Sequence, residues 1–430
     1  MKLNLEIFLN NMWHACATLD VLEPEKSFES KVVLDFELDY FDQFAKYIND
    51  NTYYSVSTLI ELNLIPYTFE HWPSFLLDLM PQGAARTIVA KRLKIADLPI
   101  NDFKILKNGA INPIGNLRIK SDNQLFTALK AISFDLEDIA LKRENFLEEA
   151  HRLGAIVIGG TGAQGMAPKY LINQNKDQNY SIDGALKEEL IQKSFIIKLP
   201  KSKAKQDREI LQAEKVYMDM AIELGLNTFK EYTLYKDMLL MERFDRVYLD
   251  NGETLRYGME SLSSLLGDFQ FGERHFIEDV LMAIKKYSTD YRADCLEYLR
   301  RDFLNIAMGN TDNHARNSAF IKKEDRSLRL SPLYDFAPMT LDDEGIIRVI
   351  RWKEEENSIV DFAHMKQFLL TNLELEKSEV ENIFKMVLSD LEKLENLAST
   401  KNLAPEIRTQ AWIKKDPLTK KLQEFIKENL

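Results

Sequence analysis

The amino-acid sequence predicts an α+β fold in two lobes, a sheet-rich one followed by a helix-rich one. Three observations point there. Short β-like runs cluster between residues 155 and 244, helical apolar spacing fills the chain beyond Ser261, and a mixed unit precedes both. At 430 residues the chain exceeds a single core, for which about 150 residues is usual. The expected division is 1–150, 151–260 and 261–430.

The chain opens on a strand: Leu3, Leu5, Ile7 and Leu9 alternate with more polar neighbours and end at Asn10-Asn11. Residues 72–94 read as one helix with Pro73 near its start. Gly109, Pro113 and Gly115 mark 101–116 as a loop. Ala155 to Ile158, Tyr170 to Ile172 and Ser194 to Leu199 then read as a small antiparallel sheet. A helix from Asp207 to Leu224 closes at Gly225, and strands Phe229 to Tyr235 and Met238 to Phe244 turn at Lys236-Asp237. Beyond these, Phe276 to Lys286, Tyr291 to Met308, Asp361 to Thr371 and Lys377 to Leu397 have helical spacing, with 309–345 as a loop and a lysine-rich, solvated terminal helix after Ser399.

Hydrophobic residues make up 45% and charged residues 29% of the chain, ordinary globular values that argue against disorder or a fibrous repeat. A net charge of -12 argues against broad affinity for nucleic acid, which needs surplus Lys and Arg. Cys16 and Cys295 form neither a C-x-x-C pair nor a Cys/His cluster, so a reducing cytoplasm fits best. No apolar run of about 18 residues suggests a membrane span, and the N-terminus does not read as a signal peptide.

The strongest chemical signal is Gly309-Asn310-Thr311-Asp312-Asn313-His314-Ala315-Arg316-Asn317. It holds D-x-x-x-x-N, the spacing that places a base at an acceptor hydroxyl and an amide oxygen on a metal ion. In an acidic chain that spacing recurs by chance, so other parts must accompany it. Ser331-Pro332-Leu333-Tyr334-Asp335-Phe336 offers a second hard oxygen ligand at Asp335. Phe195-Ile196-Ile197-Lys198 is an apolar strand ending in a lysine that can meet phosphates, and Glu214, 16 residues on, sits on a helix from which it can pair with Lys198.

Upstream, Gly160-Thr161-Gly162-Ala163-Gln164-Gly165 reads as G-x-G-x-x-G, whose backbone N–H groups can cradle phosphate oxygens. A dinucleotide site would need a long helix next. Pro168 and the polar run 173–179 follow instead, which suits a strand–loop–strand flap. Each element alone is weak, but they occur in the order that phosphoryl transfer requires. His314 orients the loop or contacts phosphate, with a purely structural hydrogen-bonding role equally open.

At these residues the chain resembles the HipA family, toxin kinases of bacterial type II toxin–antitoxin modules. The matching pieces are 75–83 (F-L-L-D-L-M-P-Q-G), Gly162-Ala163-Gln164, Phe195 to Pro200, 241–246 (M-E-R-F-D-R), Gly309 to Asn317 and Leu333-Tyr334-Asp335. The resemblance implies a two-lobed, protein-kinase-like fold with an added N-terminal subdomain. It implies a serine/threonine kinase using ATP and Mg2+, with Asp312 as base and Asn317 and Asp335 as metal ligands. Lys198 would contact ATP phosphates, and Glu242 to Phe244 would form the hinge that meets adenine. Targets in such a family include aminoacyl-tRNA synthetases, and the partner is a small helix-turn-helix antitoxin.

Two departures stand out. Gly159 occupies the place where family members often carry an autophosphorylated Ser, leaving Thr161 as the nearest hydroxyl, and Lys169 lies further from Gln164 than the usual loop lysine. Arg243, Asp245 and Arg246 have a structural alternative, a buried ion-pair network. The residues themselves leave open a small-molecule or lipid kinase, and a catalytically silent antitoxin-binding module.

Overall fold

The computed structural model describes residues 1–50, 53–120, 132–141, 145, 146, 148, 150, 169–356 and 359–430. The chain forms two compact units. One comprises Met1–Lys201, Tyr235–Glu273 and Ala319–Leu328; the other comprises Ser202–Leu234, Arg274–Ser318 and Arg329–Leu430. The expected α+β architecture is present, with the sheets gathered early and the long helices late.

The first sheet is antiparallel, in the order β4-β3-β2-β1-β5, from β1 (Lys2–Leu9), β2 (Met12–Val21), β3 (Val32–Phe36), β4 (Tyr67–Phe69) and β5 (Leu117–Ile119). Asn10 and Asn11 both take positive φ, 50° and 61°, as a two-residue hairpin with the right-handed strand twist demands. Leu3, Leu5, Ile7, Leu19 and Leu34 are buried in its core with Trp72, Phe75 and Leu76. Each such side chain contributes about 2 kcal/mol of burial.

The second sheet runs β7-β6-β8-β10-β9, with β6 (Lys169–Asn175), β7 (Tyr180–Ile182), β8 (Ile191–Lys198), β9 (Thr233–Tyr235) and β10 (Met238–Glu242). Residues 155–158, expected as a further strand, lie outside the described residues. The β9–β10 turn at Lys236 has φ of 54°. A third pairing joins Gly258–Ser261 to Ala319–Lys322.

Four expectations need correcting. Residues 72–94 hold two helices, Phe75–Leu79 and Gly83–Leu93, because Pro81 pushes Met80 into extended backbone. Residues 101–116 contain the helix Asp102–Gly109, in which Phe103, Ile105 and Leu106 are buried. The 309–345 loop includes strands Ala319–Lys322 and Leu328–Leu330, and the strand expected from Phe229 shortens to Thr233–Tyr235. The tail is helical as expected, in two helices, Pro405–Ala411 and Lys415–Asn429, the latter burying Leu418 and Leu422.

Buried charge in the first unit is tightly paired. Arg243 donates Nη1 to Asp183 at 2.9 Å, and Nε and Nη2 to Asp245 at 2.8 and 2.5 Å; Arg246 Nη1 reaches Asp183 at 2.9 Å. Asp245 also accepts the Gly115 N–H at 2.7 Å. The Arg/Asp cluster of the sequence is therefore a buried network. Nearby, Glu260 accepts from Ser57 Oγ, Thr58 N, Thr58 Oγ1 and Ser264 Oγ, with Lys322 Nζ 3.2 Å away. One carboxylate thus ties the loop near residue 57 to the strand Gly258–Ser261.

Burial opposes ionisation of Asp183, but Arg246 and Arg243 outweigh it and hold the carboxyl well below its usual range. A folded-state value depressed in this way contributes stability that is present above about pH 4 and lost as pH falls through the folded value. Asp183→Asn should therefore cost about 3 to 5 kcal/mol near neutral pH by leaving two guanidiniums uncompensated. Urea midpoints followed by circular dichroism should show that deficit shrinking below about pH 4, and an unshifted midpoint at neutral pH would refute the account.

Candidate functional site

The helix Tyr291–Met308 carries Cys295, Leu299, Phe303 and Ala307 as a buried i, i+4 stripe. Gly309 ends it with φ of 71°. The chain then enters the D-x4-N loop, which a set of hydrogen bonds holds in place. Asn310 Nδ2 donates to Asn305 Oδ1 at 2.9 Å and reaches the Asp335 carbonyl at 3.4 Å. Asn313, buried, donates Nδ2 to the Ile350 carbonyl at 2.7 Å and accepts the Val349 N–H at 2.9 Å. Tyr334 donates its hydroxyl to the Arg316 carbonyl at 2.9 Å.

Within the loop, Asn317 donates Nδ2 to the Asp312 carbonyl at 2.7 Å. Its Oδ1 is buried and has no hydrogen-bond partner among the described residues. The Arg316 N–H donates to His314 Nδ1 at 3.2 Å, which puts the proton of a neutral ring on Nε2. That nitrogen faces Asp312 Oδ1 at 3.3 Å.

Asp335 takes φ of 53°, a left-handed conformation uncommon for a residue with a side chain. The approach to it is braced from the helix Tyr291–Met308. Asp294 accepts Arg329 Nη2 at 2.9 Å and the Leu330 N–H at 3.0 Å, while Arg301 Nη2 donates to the Ser331 carbonyl at 2.9 Å. One pocket is lined by Asp312, Asn317 and Asp335 together with His314, Asn310 and Asp302. Two oxygen donors, one amide and one carboxylate, suit a hard cation that also grips phosphate.

Glu214 is buried on the helix Lys205–Glu223 in the same unit. Tyr232 stands near it: burial first, and then the negative charges of Glu214 and Asp335, push the Tyr232 hydroxyl well above its usual range. The other unit carries Lys198, buried at the end of β8 where it pairs in register with Leu239 and Lys169. It also carries Glu242, the last residue of β10, and Phe244 just after it. Gly160, Thr161, Gly162, Ala163 and Gln164 lie outside the described residues.

Sequence reasoning missed several contributors. Asn310 and Asn313 lie inside the matched segment, but neither stands at the D-x4-N spacing that picks out Asn317. Arg301 and Asp294 read as an amphipathic helix's polar positions, and Tyr232 sits in a stretch expected as strand.

A family model, the HipA-like C-terminal domain, matches residues 161–394, more than half of the chain. None of the curated proteins matches. Among solved structures, HipA of the Shewanella oneidensis MR-1 toxin–antitoxin system, in complex with HipB and operator DNA, aligns over 99% of this chain and 98% of its own. The identity is 14% and the TM-score 0.67, which establishes a shared fold. CtkA, a proinflammatory kinase of Helicobacter pylori, aligns over 63% of this chain and 91% of its own at 13% identity, with a TM-score of 0.36.

Asp302 gives the pocket a titrating wall. Arg348 reaches its two oxygens at 2.9 and 3.1 Å and also meets Glu355 at 3.2 Å. Burial pushes Asp302 up to about 7 against the pull of Arg348, with help from Glu355. Because the folded value lies above the unfolded one, the stability this group contributes is full below about pH 4 and is lost as pH rises through the folded value. Relative to Asp302→Asn, the wild type should lose up to about 1.4 kcal/mol per pH unit between about pH 4 and 7. Urea midpoints across that range test this, and parallel profiles would mean that Arg348 keeps the carboxylate ionised throughout.

Proposed function

The chain belongs to the family of the HipA-like C-terminal domain, and from that premise we propose that it is an ATP- and magnesium-dependent serine/threonine protein kinase, the toxin of a HipA-type toxin–antitoxin pair. One observation carries the reading. The Asn317 amide nitrogen is tied to the Asp312 carbonyl, leaving a buried oxygen, unpartnered among the described residues, in the pocket that Asp335 and Asp312 also line.

Asn317 Oδ1 and the Asp335 carboxylate would hold Mg2+, which when bound supplies positive charge to phosphate oxygens. Asp312, faced by His314 Nε2, takes the proton of the acceptor hydroxyl. The hydroxyl oxygen bonds to the γ-phosphorus as the bond from that phosphorus to the ADP oxygen breaks. Lys198 would meet the ATP phosphates, the glycine string 160–165 would cover them, and Glu242 to Phe244 would meet adenine. The working division is 1–150 as an added subdomain, 151–260 for nucleotide and 261–430 for catalysis.

The Shewanella relative is held with HipB and operator DNA. By analogy this chain's partner is a small helix-turn-helix antitoxin, which would read the DNA, since a net charge of -12 disfavours direct binding. The target class is translation-related protein, an aminoacyl-tRNA synthetase being the leading case, and the compartment is the cytoplasm. No helix among the described residues is long and apolar enough to cross a membrane.

Label from the γ-phosphate of ATP should pass to protein Ser or Thr rather than to lipid or metabolite. Asp312→Asn should cut transfer by about 100-fold or more while ATP binding by calorimetry persists. Asp335→Asn should weaken both, and ATP should bind far less tightly without magnesium. Equal ATP affinity with and without the metal, or label found only in small molecules, would sink the reading.

A further inference from the structure

Three further segments of the second unit meet the side chain of Tyr217, which lies one turn beyond Glu214 on the helix Lys205–Glu223. Tyr217 is fully buried. It donates its O–H to the Met308 carbonyl at 2.7 Å and accepts the Trp412 indole N–H at 2.8 Å. Its ring packs on Phe336, the neighbour of Asp335, with centroids 5.3 Å apart.

The next residue along from Met308 is held from the same side. A β-carbon on Gly309 would lie 2.5 Å from the Ala411 carbonyl oxygen and 2.7 Å from Thr340 Oγ1. Thr340 in turn donates its N–H to the Gly309 carbonyl at 2.9 Å. Trp412 lies beyond residues 161–394, the reach of the family model, so no motif includes it.

We propose that Trp412 is a positioning residue for phosphoryl transfer, acting through Tyr217 to fix the carbonyl from which the loop of Asp312 and Asn317 departs. The proposal rests on the kinase reading. The Met308 carbonyl belongs to the last turn of its helix, where carbonyls lack helical partners, and the Tyr217 hydroxyl satisfies it. The ring that carries this hydroxyl extends from the helix of Glu214 and packs on the residue after Asp335, so one side chain touches three parts of the site. One lost hydrogen bond changes a folding equilibrium by a factor of about five. A loop displaced by about 1 Å slows a positioned reaction by up to about 100-fold, so the rate should respond more than the stability.

The test uses the full chain and Mg-ATP with casein as acceptor, comparing wild type, Trp412→Phe, Tyr217→Phe and the double variant. The Tyr217→Phe and Trp412→Phe variants should lower kcat by about tenfold and about fivefold, with KM for ATP within about twofold. The double variant should be no slower than Tyr217→Phe, because both act through one hydroxyl. Thermal melts measured in parallel give the folded fraction, and should Trp412→Phe not fold, Tyr217→Phe carries the kcat test alone. Wild-type kcat in the folded variants, effects that multiply, or losses that only track the folded fraction would each overturn the proposal. A wild type that transfers no phosphate would overturn the kinase reading and this one together, whereas transfer unaffected by the variants overturns this one alone.

Discussion

At residue 309 the helix Tyr291–Met308 must stop, reverse its backbone sense and pass within touching distance of the Ala411 carbonyl, all within one residue. Only glycine meets the three demands, since φ of 71° is costly for a side-chain-bearing residue and a β-carbon has nowhere to go. The direction in which the chain leaves that point sets Asn310 against Asn305 and carries Asp312 and Asn317 to the pocket. Asp335 arrives from elsewhere in the chain with the same left-handed backbone, locked by Arg301 and Asp294 on that one helix. A single helix therefore acts as the jig for both oxygen donors.

Buried charge follows one pattern in both units. Arg243 and Arg246 are matched by Asp183 and Asp245, Arg300 meets Asp390 at 2.7 and 3.1 Å, and Arg348 bridges Asp302 and Glu355. Such pairs cost desolvation and add little net stability over apolar packing, but a mispaired register leaves a bare charge inside. They specify which segments may touch. The acidic surplus of the chain is consistent with this, because almost every buried guanidinium can be answered by a carboxylate.

Local patterns carried much of the architecture. Strict alternation announced β1, helical spacing announced Tyr291–Met308, and Asn10-Asn11 announced the end of the first strand. The D-x4-N spacing pointed to Asp312 and Asn317, and a following acidic residue to Asp335, which the fold gathers round one pocket. What the sequence concealed depends on contacts between distant segments. Gly109 looked like loop punctuation although it closes a helix, because its role follows from packing against Pro81. Asn313 and Tyr334 act on backbone carbonyls 37 and 18 residues away, and no periodicity encodes such a partner. The lysine-rich tail looked solvated because its two buried leucines are sparse among charges.

Each compact unit is assembled from three stretches of chain that interleave along the sequence. A ribosome making this protein cannot finish the first unit until Ala319–Leu328 emerges, and by then Asp312 has already been synthesised. The second unit waits longer, because Ala411 and Trp412, which close against Gly309 and Tyr217, are made about a hundred residues after the Asp312 loop. At about 5 to 20 residues per second the loop that follows Gly309 spends several seconds without its final support. Chains abandoned partway, by stalling or by a premature stop, would thus be born with the residues of the site and without the frame that aligns them. That order of assembly confines full alignment of the site to chains that have reached Trp412.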